Sequence, residues 1–261
     1  MSSVAIEDHL IETPAGALFA RRWRPAAGAG AAPLVLMHDS LGCVALWRDF
    51  PQQLAQASGR EVVAYDRLGF GQSAAHPARL RPDFVSAEAR EDFARMRAQL
   101  DITTFVALGH SVGGGMAIAC AAAWGEDCRG LITESAQAFV EPRTLAGIRE
   151  ARAGFAQPGQ LDRLARYHGD KAAWVLSAWI DTWLAEDFAG WNLDHELQQV
   201  RCPALALHGD QDEYGSLAHP DRIATLARGQ QHVFAGCGHV PHREQPEAVL
   251  AVILPWLAAR E

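Results

Sequence analysis

Short apolar runs alternate with stretches of helical periodicity along most of the chain. Each run has the length and the side-chain types of a buried strand. The predicted buried strands cover residues 33–37, 61–66, 105–108, 130–134, 203–208 and 230–234. Between them, Ala89, Phe93, Met96 and Leu100 recur at helical spacing, which predicts one helix over about 82–100. Strands that alternate with helices predict an α/β fold with a mostly parallel sheet, covered by helices on both faces.

Two regions depart from this alternation. The opening of the chain predicts a β-hairpin, with strands over 4–13 and 17–24 and a turn at 14–16. The segment between Ser135 and Val200 has no clear buried strand and holds four of the eight tryptophans. It predicts several helices inserted into the α/β alternation.

The sequence Gly109-His110-Ser111-Val112-Gly113 stands between a predicted strand and a predicted helix rich in small residues. It matches G-x-S-x-G, in which a serine occupies a sharp strand-to-helix turn and the glycines let strand and helix approach closely. Free N–H groups at the helix N-terminus favour negative charge beside the serine hydroxyl. Ser111 is therefore a candidate nucleophile, although a glycine-rich turn with a helix-capping serine has the same pattern.

Candidate acidic and basic partners follow later strands. Asp212 and His239 each come shortly after a predicted strand, and ligands bind beyond the carboxyl ends of parallel strands. A serine needs a base such as histidine, itself oriented by a carboxylate. The order Ser, Asp, His fits the triad of a G-x-S-x-G enzyme. Two other acids and one other base stay open as alternatives: Asp210, Glu134 and His242.

Composition narrows the classes of partner. The formal net charge of −8 over 261 residues disfavours nucleic acid and anionic membrane surfaces. The five cysteines form no C-x-x-C pair, which favours reduced thiols over a disulfide framework or a zinc site. The first residues lack the basic and apolar regions of a signal peptide. We therefore expect a cytoplasmic protein, monomeric or homodimeric, with a small-molecule substrate and with neither a metal nor a cofactor.

Several motifs together resemble the α/β-hydrolase family over essentially the whole chain. They are the opening hairpin, the loop after His38, the Ser111 turn and four further stretches: Asp66-Arg67-Leu68-Gly69-Phe70-Gly71-Gln72-Ser73, Gly209 to Asp212, Gly238-His239-Val240-Pro241 and Glu244-Gln245-Pro246-Glu247. These motifs are similar to those of the cap-bearing esterases, enol-lactonases and C–C bond hydrolases.

The resemblance implies a role for each candidate residue. It implies Ser111 as the nucleophile, Asp212 as the acid and His239 as the base. It also implies an oxyanion hole formed by the backbone N–H groups of Val112 and Ser40.

The resemblance further implies a hydrolase core in two parts, 1–135 and 200–261, with a helical cap formed by 136–199. Within that cap, Trp179 and Trp183 are four residues apart and share one helix face. They either pack the cap onto the core or line an apolar substrate pocket.

One position departs from the family pattern. Family members usually carry His-Gly after the third strand, whereas this chain has His38-Asp39. Aspartate is among the non-glycine residues that best tolerate a positive φ. Asp39 is therefore expected either to adopt that conformation or to bend the loop that carries Ser40.

These features predict a serine hydrolase that cleaves a small, largely apolar carboxylic ester through an acyl-enzyme. Four alternatives use the same fold: a lactonase, a C–C bond hydrolase, a cofactor-free perhydrolase and a ligand sensor with slow turnover.

Overall fold

The computed structural model describes residues 3–26 and 30–259, and its centre is an eight-stranded sheet. The strands in chain order are β1 (Val4–Ile11), β2 (Leu18–Pro25), β3 (Leu34–Met37), β4 (Val62–Tyr65), β5 (Phe105–His110), β6 (Cys128–Glu134), β7 (Ala204–Gly209) and β8 (Gln230–Phe234). Their order in the sheet is β1-β2-β4-β3-β5-β6-β7-β8. The β1–β2 and β2–β4 pairs are antiparallel and the other neighbouring pairs are parallel. The predicted hairpin and mostly parallel sheet are confirmed.

Helices connect the strands and cover both faces of the sheet. They are α1 (Phe50–Ser58), α2 (Phe84–Ala87), α3 (Asp92–Gln99), α4 (Val112–Trp124), α5 (Pro142–Phe155), α6 (Gln160–His168), α7 (Ala172–Trp183), α8 (Asp194–Gln199), α9 (Ala218–Leu226), α10 (Pro241–Glu244) and α11 (Pro246–Ala258). Successive side chains of a strand point to opposite faces. Val35 and Met37 of β3 accordingly join the core that contains α4, whereas Leu34 and Leu36 join the core that contains α1 and α11.

The single helix predicted over 82–100 is wrong. A 3₁₀ turn, Glu88–Arg90, separates α2 from α3, and the backbone of Glu91 leaves the helical region with φ −104° and ψ −102°. The hydroxyl of Tyr65 donates a hydrogen bond to the buried carboxylate of Glu88. This polar contact with the end of β4 holds the turn toward the sheet, so the apolar period does not produce a continuous helix.

The order of the central strands creates a crevice. β3 lies between β4 and β5, so the chain moves to one side of the sheet after β3 and to the other side after β4. Such a reversal leaves an opening at the carboxyl ends of the two central strands. The loop after β3 and the turn after β5 both begin at this opening.

The four helices α5 to α8 stand between β6 and β7 in the chain. The last of them, α8, packs against α4 and α9. No helix within 3–26 and 30–259 is both long and apolar enough to cross a bilayer.

Candidate active site

The turn between β5 and α4 holds Ser111 in a strained backbone conformation. Its φ is 55° and its ψ is −125°, a region that side-chain-bearing residues rarely occupy. The glycines on either side are required by space: a Cβ on Gly109 would lie 2.0 Å from the carbonyl oxygen of Gly113. A Cβ on Gly113 would lie 2.1 Å from the carbonyl oxygen of Met37 in β3. Glycine is therefore needed at both positions, because the strands and the helix are in direct backbone contact here.

The hydroxyl of Ser111 faces a polar side chain that the sequence analysis did not single out. Ser111 Oγ donates to Gln137 Oε1 at 3.3 Å, and both residues are buried. Gln137 lies three residues beyond the end of β6, the strand next to β5. The one sequence signal for Gln137 was its position just after a predicted strand. A single glutamine belongs to no catalytic motif, so this position alone did not mark it as a site residue.

Asp212 and His239 are in direct contact. His239 Nδ1 donates to the two carboxylate oxygens of Asp212 at 2.8 and 2.9 Å. Asp212 is 1% exposed and also accepts the backbone N–H groups of Tyr214 and Gly215, at 2.7 and 3.1 Å. Burial opposes the charged form of Asp212, but the hydrogen bond and charge of His239 outweigh it and hold the pKa of this carboxyl below its usual value. The pair is thus an anion oriented against an imidazole.

The other candidate acids and the other candidate base have different partners. The exposed Asp210 accepts the N–H of Gly236 at 2.7 Å. Glu134 is fully buried and accepts from both the backbone N–H and the Nδ1 of His242, at 2.9 and 2.7 Å. The carboxylate that contacts His239 is therefore that of Asp212.

The loop after β3 carries a second carboxylate at this edge. Asp39 is not among the described residues with positive φ, so it does not adopt the conformation that glycine would favour. Its Oδ1 accepts the N–H of Leu41 at 2.8 Å, and its Oδ2 lies 3.5 Å from His110 Nδ1. Nη2 of Arg67 donates to its backbone carbonyl at 2.9 Å. Ser40 thus lies in a loop whose flanking residues, Asp39 and Leu41, are both held by hydrogen bonds.

A small cavity brings most of these residues together. Its volume is about 110 Å³, and its polar side includes Asp39, Ser40, Ser111, Gln137 and His239. Most of the remaining lining comes from the inserted helices, with one residue from the loop after β3 and one from the loop after β7. These residues are Leu41, Thr144, Ile148, Trp179, Trp183 and Tyr214. We call this cavity the Ser111 pocket.

The residues singled out from sequence occupy distinct places around the Ser111 pocket. Trp179 is half-buried and edge-on to Tyr214, with ring centroids 5.8 Å apart. Trp183 is 2% exposed and also packs edge-on against Trp191 at 5.5 Å. Val112 lines a narrow adjoining space of about 10 Å³, shared with Ser40, Trp179 and Trp183. Packing and pocket lining are therefore combined in Trp183.

Comparison with known proteins places this chain in a family. The sequence profile of the alpha/beta hydrolase fold matches residues 32–179. A proline iminopeptidase from Lactobacillus delbrueckii subsp. bulgaricus is 23% identical over 277 residues, covering 88% of this chain and 91% of that protein. A 2-hydroxymuconate semialdehyde hydrolase from a Pseudomonas species is 28% identical over 260 residues, covering 87% of each.

A solved structure agrees with the sequence comparison at the level of the fold. The crystal structure of an esterase from a Rhodococcus species has a TM-score of 0.74 and 22% identity, covering 98% of this chain and 99% of that one. The family profile spans more than half of the chain, and the relatives are named as a peptidase and a hydrolase. This chain belongs to the α/β-hydrolase fold family and is an enzyme of the hydrolase class.

Proposed function

We propose that the protein is a serine hydrolase that cleaves a small, largely apolar carboxylic ester. The observation that carries this proposal is the Ser111 pocket, in which a strained serine and an aspartate-bound histidine share one small cavity. A volume of about 110 Å³ suits a short acyl or alkoxy group.

In this mechanism Ser111 Oγ attacks the ester carbonyl and its proton passes to Nε2 of His239. Nδ1 of His239 is already bound to Asp212, which orients the ring and stabilises its cationic form. The Ser111 hydroxyl exchanges its hydrogen bond with Gln137 for one with His239 when substrate enters, since catalytic contacts tighten in the bound complex.

The negative charge on the carbonyl oxygen then needs donors. We assign these to the backbone N–H groups of Val112, at the start of α4, and Ser40. The alcohol leaves with the proton held by His239. A water deprotonated by the same imidazole then attacks the acyl-enzyme, and the acid is released.

The helices inserted between β6 and β7 act as a cap in this proposal. We assign 136–199 to the cap and 1–135 with 200–261 to the core. Support comes from α5 and α7, which supply the apolar wall of the Ser111 pocket through Ile148, Trp179 and Trp183. The five cysteines are free thiols and all are buried, which supports a reducing, cytoplasmic location.

The lining of the Ser111 pocket favours a neutral ester over a charged substrate. Among the described residues it is lined by neither lysine nor arginine, and its one carboxylate, Asp39, lies beside His110. The named substrate of the Pseudomonas relative is a carboxylate, and a peptidase substrate can carry a terminal ammonium group. A neutral ester needs no counter-ion from the pocket.

The test is steady-state hydrolysis of p-nitrophenyl esters from acetate to decanoate. We expect the highest kcat/KM at short chains and a loss of at least about 1,000-fold in Ser111→Ala. Ser177→Ala removes an exposed hydroxyl on α7 and serves as the matched control. Proline p-nitroanilide, assayed in parallel, tests the peptidase reaction of the relatives.

Full turnover in a folded Ser111→Ala protein would end the proposal. If the wild type hydrolyses none of these esters but a phosphonate probe still labels Ser111, the nucleophile is active and the substrate is a different carbonyl compound or a sensed ligand.

A further inference from the structure

His110 stands between two acceptors. Its Nε2 lies 2.8 Å from the backbone carbonyl oxygen of His239, and its Nδ1 lies 3.5 Å from Oδ2 of Asp39. The side chain of His110 is only 3% exposed, so water offers its imidazole no replacement for either contact, whereas the Asp39 carboxylate is 32% exposed on its pocket side. A neutral imidazole donates from one nitrogen only and would turn a lone pair toward the other oxygen. The doubly protonated imidazolium is the form that satisfies both acceptors.

Asp39 is built into the loop that carries Ser40. Its Oδ1 accepts the N–H of Leu41 at 2.8 Å, so the carboxylate bridges its own loop and the histidine before the nucleophile. The carboxylate also fills the space beside Gly42, where an added Cβ would lie 2.6 Å from Oδ2. Ser40, between these anchors, has little freedom to move its N–H group.

We propose that Asp39 and His110 form a charged link that positions both the Ser40 N–H group and His239 for catalysis. The link joins three separate segments: the loop after β3, the turn after β5 and the loop after β8. This inference rests on the proposed serine-hydrolase function and adds two positioning residues to it. Neither residue exchanges a proton with substrate.

The ionisable neighbours of this link come from several elements packed around it. Around His110 they are Glu134, at the end of β6, and His242 of α10, which are hydrogen-bonded to each other. His239 is held by Asp212. Around Asp39 they are His38 and Arg67, which contact each other, together with His168, Cys43 and Tyr214. Asp39 is therefore the carboxylate that faces His110 Nδ1.

Burial opposes the imidazolium, but the hydrogen bond and charge of Asp39 outweigh it and raise the pKa of His110 to about 9. The link is therefore intact at neutral pH and is lost when His110 gives up its proton. The wild-type kcat should accordingly fall above pH 9. This alkaline limb is the signature that a purely structural contact would not give.

The experiment compares Asp39→Asn with the wild type across pH 6 to 10 on the best p-nitrophenyl ester, with the spontaneous rate subtracted. Asparagine keeps an acceptor for the Leu41 N–H but removes the charge that stabilises the imidazolium. We expect kcat at pH 8 to fall about 10- to 100-fold, KM to change less than about threefold, and the alkaline limb to move to lower pH. Asp221→Asn, an exposed change on α9, is the control and should behave as the wild type.

A folded Asp39→Asn enzyme with wild-type kcat and an unmoved alkaline limb would overturn the link, as would a variant with lower thermal stability but an unchanged pH profile. Ser111→Ala, run beside it, separates this outcome from failure of the proposed function, since loss of turnover there leaves the hydrolase assignment standing.

If Asp39→Asn does not fold, the wild-type protein itself supplies the test. Nitrogen-15 NMR of the His110 ring, assigned by its absence in His110→Gln, should show both nitrogens protonated at pH 8 with a midpoint near pH 9. A neutral ring at pH 8 would contradict the charged link.

Discussion

The floor and the roof of the Ser111 pocket are built in different ways. The floor consists of residues that follow strand ends, such as Ser111 and His239, and its geometry comes from backbone contacts and hydrogen bonds. The roof consists of side chains from α5 and α7, including Ile148 and Trp179, and its geometry comes from apolar packing. Changes to the floor should therefore alter the rate of the chemical step, whereas changes to the roof should alter stability and substrate choice.

The strongest way to break the floor is to remove the charge beside His239. Asp212→Asn should lower kcat by about 1,000- to 10,000-fold, because the amide holds the imidazole in the wrong tautomer and does not stabilise its cation. Asp210→Asn, two residues earlier, changes an exposed side chain that accepts the N–H of Gly236 in the loop after β8, and it should keep kcat within about twofold. The measurement is kcat for ester hydrolysis by both variants. The reverse ranking would mean that the acid is wrongly assigned.

The roof is tested with Trp179 and Trp183, the tryptophans of α7 that line the Ser111 pocket. Trp183→Ala removes a side chain that is 2% exposed and packs against Phe188 and Trp191, so it should lower the free energy of unfolding by about 3–5 kcal/mol. Trp179→Ala removes a half-buried ring and should cost less stability, but it should enlarge the pocket and shift the preferred ester to a longer chain. Urea unfolding and the ester series measure the two effects. If both variants lose the same stability and the preferred ester length does not change, Trp179 packs the roof as Trp183 does and does not set the size of the pocket.

The smallest effect concerns the stability of the floor itself. The raised pKa of His110 means that its pairing with Asp39 stabilises the fold fully below about pH 6.5 and that this contribution fades as pH rises toward 9. The wild type should exceed Asp39→Asn by about 1–3 kcal/mol in free energy of unfolding at pH 6 and by almost nothing above pH 9. Urea unfolding at a series of pH values measures the difference. A gap that stays constant from pH 6 to 10 would indicate that charge plays no part in the pairing.

Features with local signals were predictable from the sequence. Apolar runs predicted the central strands, and the turn at Ser111 was recognisable because its two glycines stand at a fixed spacing around the serine. The order of Asp212 and His239 after their strands led to a contact that the structure contains. The pattern of one short segment is enough in each of these cases.

Features that depend on distant contacts were not predictable in this way. The helix expected over 82–100 is interrupted at the 3₁₀ turn where Glu88 contacts Tyr65 at the end of β4. The pairing of Asp39 with His110 joins residues 71 positions apart, and no sequence motif relates the two positions. Gln137 faces Ser111 only because β5 and β6 are neighbours.

The position of the insertion in the sheet has a consequence for how such enzymes diversify. The chain leaves the sheet after Glu134 of β6 and re-enters at Ala204 of β7, and these two strands are hydrogen-bonded neighbours, with Glu134 paired to Leu207. The two attachment points of the whole roof are thus held side by side by the core alone. A segment of other length or sequence could be spliced between them by recombination while Ser111, Asp212 and His239 keep their places. Grafting the segment between these two strands from one relative to another is therefore a direct route to new substrate ranges on one unchanged core.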